Sequence, residues 1–218
     1  MAAPVQFDNK KGLLPFFQSL DFLVLQGITG ASVFKQFHSM CNGANMAYDR
    51  TVFFEVDGFK DIDHIASGDD MLLMHKVALK HPGRIYYLKS RSAIVTAKTE
   101  DSWKSFLHQR IRWASKAAFY KDKRITAVLV LVYIFNLYFL FLFAAGFTDY
   151  RYWLVLLILL VAKTLLEYPF IKTISSFFSK QYLLRYFPFF QPLHILYTIV
   201  AGWLGQFGGY EWKGRKVK

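Results

Sequence analysis

Cysteine and charge are both scarce in this chain of 218 residues. The single cysteine, Cys41, excludes an intramolecular disulfide framework and a cysteine-only zinc site. Charged residues make up 19% of the chain and hydrophobic residues 54%, against about 25% and 45–50% in ordinary soluble domains. This balance excludes a disordered tail, a collagen-like chain and an ordinary soluble enzyme.

Long uncharged runs occupy the second half of the chain. Residues 125–148 carry no charge, and about 20 apolar residues span a bilayer core, so this run predicts a transmembrane helix. Residues 151–168 form a shorter second candidate, in which Lys163 and Glu167 lie four residues apart near its end. The third candidate, the uncharged stretch 186–210, contains Pro188 and Pro192, which weaken its prediction as a spanning helix.

The net charge of +12 indicates an acidic partner. Basic residues flank the apolar runs, which favours anionic lipid over nucleic acid. The positive-inside rule then predicts a multi-pass protein of the inner (plasma) membrane with its first half cytoplasmic. Three full spans would place the basic C-terminal tail outside the cell, whereas the positive-inside rule predicts that it lies inside. A third segment that is re-entrant or interfacial would resolve this conflict.

The residue pattern of the first half predicts a mixed α/β fold. Apolar spacing predicts helices over residues 13–38, 71–80 and 103–121, and short strands over 85–88 and 93–97. Residues 99–102 supply N-cap candidates for the third helix.

Three clusters of polar residues could carry chemistry. In the first, Asp69 and Asp70 follow Gly68 at the start of a predicted helix. A carboxylate there can take a proton from an attacking hydroxyl, as a general base does. Aspartate is also favoured at helix starts, where it satisfies free backbone N–H groups.

The second cluster is Gln109, Arg112 and Trp113, which share one helix face at i, i+3 and i+4. A guanidinium can pair with diphosphate oxygens, and an indole offers a flat stacking face. The alternative is an amphipathic helix at the membrane surface.

The third cluster is Asn42, Gly43 and Asn45. Glycine permits close approach to a ligand, and the amides can bind hydroxyls. The alternative is a plain turn.

Taken in order and ahead of membrane spans, these clusters resemble the C-terminal half of a membrane-bound family 2 glycosyltransferase, the group of cellulose, chitin and hyaluronan synthases. QRIRW fits its Gln-x-x-Arg-Trp pattern, SGDD resembles its acidic motif, and CNGANMAY resembles its acceptor-side segment. The resemblance implies an α/β GT-A-type domain followed by transmembrane helices. Asp70, with Asp69 beside it, would be the base; Asn42, Gly43, Asn45, Gln109, Arg112 and Trp113 would bind substrate.

The resemblance also implies a nucleotide-sugar donor, a carbohydrate or lipid acceptor, and a divalent metal, Mg or Mn, held by an Asp-x-Asp motif. No Asp-x-Asp stands in the expected place, so no metal ligand is assigned and the chain is expected to be an N-terminally truncated product. Asp61 and Asp63 match the Asp-x-Asp pattern but are predicted to lie in a solvated turn.

These expectations divide the chain into four parts: residues 1–102, an acceptor-side half-domain; 103–124, an interface helix; 125–210, a membrane region of two or three spans; and 211–218, a basic tail. The predicted function is inverting transfer of a sugar from a nucleotide-sugar to a hydroxyl acceptor, and the truncated chain alone is expected to be inactive. The alternative is an inactive membrane-anchored remnant or subunit that only binds a partner.

Overall fold

A computed structural model describes residues 1–37, 40–63, 65, 67–120, 122–208, 210–212 and 215–217, the last two ranges as backbone only. His38 and Lys121, the predicted ends of two helices, lie outside these residues. Seven α-helices occur within them: α1 (Leu13–Phe34), α2 (Arg50–Glu55), α3 (Asp69–Lys80), α4 (Trp103–Ala114), α5 (Lys123–Ala145), α6 (Arg151–Phe177) and α7 (Phe187–Phe207). Short 3-10 segments cover Gly43–Asn45, Arg91–Ala93, Ser115–Phe119 and Gln181–Tyr186.

The predicted α/β fold class is wrong, because the structure is 69% helical. Strands β1 (Val5–Phe7) and β2 (Val95–Ala97) pair in parallel over three residues each, which is too little for a sheet that helices could cover. The predicted strand over residues 85–88 forms only a bridge from Tyr87 to Ala2. Strands β3 (Tyr210–Trp212) and β4 (Arg215–Val217) form an antiparallel pair in the tail.

Four helical stretches of the described chain are long and apolar enough to cross a membrane, judged by length and composition. Three of them, α5, α6 and the stretch Gln181–Phe207 that ends in α7, coincide with the three membrane-span candidates of the sequence. The fourth is α1, which the sequence placed in the globular half. Within this helix Gly27 lets α6 approach closely, because a Cβ added to it would lie 1.6 Å from Ile174 Cδ1.

The largest hydrophobic core joins the two halves of the chain. Phe17 of α1 lies within it, and its ring packs edge-on against Phe106 of α4 and Phe190 of α7. Ile171 of α6 and Leu183 of the following 3-10 segment complete its buried wall. Helices α6 and α7, both predicted for the membrane, therefore share one core with α1 and with α4, the helix that carries Gln109, Arg112 and Trp113.

Helix α4 runs alongside α7 in the same direction. Along α4, Phe106 meets Tyr197 with ring centroids 5.4 Å apart, and Ile111 packs with Ala201. At the end of α4, Gly205 approaches Ala114 so closely that a Cβ on it would lie 2.8 Å from Ala114 Cβ. The apolar stripe predicted to face lipid headgroups is thus covered by another helix at these positions.

Candidate functional site

Asp70 lies in the first turn of α3, where two backbone N–H groups hold its carboxylate. Gly43 N–H donates to Oδ2 at 2.6 Å, and Met71 N–H donates to Oδ1 at 2.8 Å. Burial raises the pKa of the Asp70 carboxyl above its ordinary value, and these hydrogen bonds oppose that rise only in part. The N-cap position itself belongs to Gly68, whose φ of 86° suits glycine.

The predicted Asn42–Asn45 turn lies against Asp70. A Cβ on Gly43 would lie 3.1 Å from Asp70 Oδ2, so the close approach that glycine permits is to this carboxylate. Asn42 caps the 3-10 segment by accepting from Ala44 N–H. Asn45 is occupied structurally, since its amide donates to the carbonyls of Pro4 and Ala93 at 2.8 and 2.7 Å.

Two further groups share the surroundings of Asp70. Tyr120 donates to Met71 Sδ at 3.1 Å, and burial, with the Asp70 charge as a second cause, raises the pKa of Tyr120 to about 12. Burial and the same charge raise the pKa of the Cys41 thiol well above its ordinary value. Both groups therefore stay protonated at neutral pH.

Asp69 differs from Asp70 in its setting. Its side chain is exposed, whereas that of Asp70 is half-buried. The negative charge on Asp69 contributes to the raised pKa of Asp70. Asp69 therefore raises the pKa of Asp70 from a position exposed to solvent.

The Gln109–Trp113 segment lies on α4, which Ser102 and Ser105 start with a capping box. Gln109 donates to Glu100 Oε1 at 2.9 Å and accepts from Arg110 Nη1 at 2.6 Å. Trp113 packs on Phe22 with ring centroids 6.2 Å apart. Arg112 is half-buried on the same helix.

The 3-10 segment Ser115–Phe119 connects the two groups of candidate residues. The buried stem of Lys116 lies beneath Gly68, whose added Cβ would lie 3.3 Å from Lys116 Cγ. The structure therefore brings Asn42, Gly43, Asp69 and Asp70 into one cluster, and joins that cluster to the end of α4 through Lys116 and Tyr120.

This architecture was compared with known proteins. The family model of Glycosyl transferase family 21 matches residues 23–218. The chain belongs to glycosyl transferase family 21. No match was found among curated proteins or among solved structures.

Membership of family 21 supports glycosyl transfer as the activity, with a nucleotide-sugar donor and an acceptor as its substrates in general. The narrower likeness to family 2 is not supported by this match, which covers the QRIRW segment under a different family. The four apolar helical stretches are consistent with membrane association.

The divalent metal implied by the resemblance has no matching ligand set in the described residues. Among them, no group of three His, Cys, Asp or Glu side chains is placed to hold a metal ion. Asp61 and Asp63 are both exposed in a run of turns.

Sequence reasoning missed the arginine that α4 buries. Arg110, between the two motif residues Gln109 and Arg112, is 3% exposed and pairs with Asp21 of α1. An aspartate in the middle of an apolar helix is the signal that could have revealed this pair, because a buried charge requires a partner. Tyr120 was missed as well, since nothing in its local pattern points to Asp70.

Proposed function

We propose that this family 21 chain carries the acceptor side of an inverting, membrane-bound glycosyltransferase with Asp70 as its general base. The observation that supports this most directly is the Asp70 carboxylate: it is held by two backbone N–H groups, and burial raises its pKa. A base works best when its pKa lies nearer the working pH than that of a free carboxyl.

The proposed reaction is a single displacement. The acceptor hydroxyl oxygen attacks the anomeric carbon while the bond from that carbon to the donor diphosphate breaks. The hydroxyl proton passes to Asp70, and the nucleoside diphosphate leaves with the bonding electron pair. Attack from the face opposite the leaving group inverts the anomeric configuration. The acceptor is a hydroxyl of a carbohydrate or a lipid.

The α4 residues serve both the donor and the acceptor in the proposal. Arg112 would hold the departing diphosphate, since its planar fork matches phosphate oxygens. Trp113 would shape the mouth of the acceptor site. Both ends of the Gln109 amide are engaged by Glu100 and Arg110, so its support of the site passes through those neighbours.

The reacting half is proposed to face the cytoplasm of a cell with its spans in the plasma membrane. Lys123 and Arg124 stand at the start of α5, and Lys172, Lys180 and Arg185 stand near the end of α6. Basic residues at these two ends place them on the same, cytoplasmic side by the positive-inside rule.

The proposal is tested by following anomeric configuration in the product. Membranes containing the longest product of the gene are incubated with a panel of nucleotide-sugars and membrane extract as acceptor, and the new linkage is read by NMR. Inverted configuration is expected. Retained configuration would refute the single displacement, and a complete lack of transfer would favour the alternative of a membrane-anchored binding subunit.

Arg112→Lys should lower the transfer rate by about tenfold or more. Lysine keeps the charge but loses the two-pronged contact with a diphosphate, and a group that holds the leaving diphosphate acts mainly in the transition state. The matched control is Lys104→Gln on the same helix, where the side chain is exposed and a surface substitution costs little. Rates are measured for both variants in the same membranes; equal, small losses would show that α4 is only a structural helix.

A further inference from the structure

A buried ion pair joins three helices next to the α4 motif. Arg110 Nε and Nη2 both donate to Asp21 Oδ2, at 3.0 and 2.6 Å, and each side chain is only 3% exposed. The Tyr197 hydroxyl of α7 donates to the other oxygen, Oδ1. Asp21 therefore holds α4 with one carboxylate oxygen and α7 with the other.

The same guanidinium contacts two of the three candidate residues on α4. Arg110 Nη1 donates to Gln109 Oε1 at 2.6 Å, and Arg110 Cζ lies 4.3 Å from the Trp113 ring centroid. Phe106 closes the opposite side, 4.5 Å from Cζ. The guanidinium of Arg110, a rigid and planar group with five N–H donors, thus contacts both the Gln109 amide and the Trp113 indole.

Stability alone does not account for such a pair. Well-packed apolar side chains of similar volume commonly stabilise a buried site as well as an ion pair does, because both charges lose their hydration. An apolar pair, however, could neither orient the Gln109 amide nor stack on Trp113 as a cation. The arrangement is therefore suited to setting geometry.

We propose that Asp21 and Arg110 are positioning residues that set the orientation of Gln109 and Trp113, with Tyr197 tying that orientation to α7. This inference rests on the proposed function for its effect on catalysis, because Gln109 and Trp113 are assigned there to the substrate site. Its structural part, the orientation of Trp113 by Arg110, does not depend on that assignment.

The decisive variant replaces both charges, Asp21→Leu with Arg110→Met, and is compared with Arg110→Met alone. The single variant leaves Asp21 buried without its cation and should unfold at a clearly lower temperature. The double variant should unfold within a few degrees of the wild type. Its kcat per folded molecule should nevertheless stay about tenfold or more below wild type, since small misplacements of positioning groups cost that much. Recovery of kcat together with stability would overturn the proposal.

A second measurement is independent of activity. In protein labelled with 5-fluorotryptophan, the ¹⁹F resonance of Trp113 is assigned as the one that Trp113→Phe removes. In the double variant this resonance should shift or broaden, while those of Trp153 and Trp203 stay in place. An unmoved Trp113 resonance would overturn the positioning role. If the wild-type protein transfers no sugar and the resonance still moves, the proposed function fails and the orientation of Trp113 by Arg110 stands.

Discussion

Asp70→Asn should lower the turnover of sugar transfer by about 100-fold or more, since general base catalysis contributes roughly 10²–10⁴. The amide has nearly the same shape as the carboxylate but cannot take up the acceptor proton. It has one oxygen for the two backbone N–H groups of Gly43 and Met71, so thermal unfolding is measured alongside turnover. Donor affinity should change little.

Two variants serve as comparisons for this prediction. Asp101→Asn makes the same change of charge at a carboxylate that is 88% exposed and should leave turnover nearly unchanged. Asp69→Asn should lower turnover by less than tenfold, because that side chain is exposed and acts on Asp70 through its charge. A larger loss in Asp69→Asn than in Asp70→Asn would show that the base is Asp69.

The pH profile gives an independent check on the same carboxylate. A general base must be ionised, so the rate should fall as the pH drops through the raised pKa of Asp70, above the value of about 3.9 for a free aspartate. Removing the Asp69 charge removes one cause of that raised pKa. The acid limb of the rate should therefore move to lower pH in Asp69→Asn.

Gly205→Leu should destabilise the protein by about 1–3 kcal/mol or more, the usual cost of overpacking. Even a Cβ at this position would lie 2.8 Å from Ala114 Cβ and 2.9 Å from the Ser115 backbone nitrogen. Backbone atoms cannot swing aside as a flexible side chain can, so α7 must separate from the end of α4. The measurement is thermal or denaturant unfolding in detergent.

The same substitution should also lower turnover, because the displaced backbone begins the Ser115–Phe119 segment. Lys116 lies in that segment and contacts Gly68. Tyr120 follows the segment and donates to Met71 beside Asp70. The control is Trp203→Leu, which introduces the same side chain on α7 at a position that is 57% exposed. A Gly205→Leu protein no less stable than this control would contradict the close packing of α4 on α7.

Local signals accounted for much of the helical structure. The long apolar runs predicted α5 and α6 because hydropathy and length alone determine a spanning helix. The start of α3 was predictable from Gly68 and the two aspartates after it, which are typical of a helix N-terminus. Ser102 was within the predicted range of N-caps for α4.

Pairings between distant segments were not predictable. Periodicity indicated which face of α4 is apolar, but not that α7 covers it, so a membrane-surface position seemed equally suited to that stripe. The fold class failed for a related reason: short apolar runs such as residues 85–88 resemble strands, yet a strand forms only where a partner lies beside it. Arg110 was overlooked because Asp21, its partner, lies 89 residues away.

The position of Asp21 has a consequence for biosynthesis. Its cation follows 89 residues later in the chain, and the Tyr197 hydroxyl follows 176 residues later. During synthesis the Asp21 carboxylate is therefore present in an apolar helix long before Arg110 or Tyr197 exists, and the apolar surface of α1 that packs on α4 and α7 stays exposed until then. Exposed apolar surface makes incomplete chains prone to aggregation. The contacts around Asp21 are complete only after α7 has been synthesised, so nascent chains arrested ahead of residue 187 should be degraded rather than accumulate.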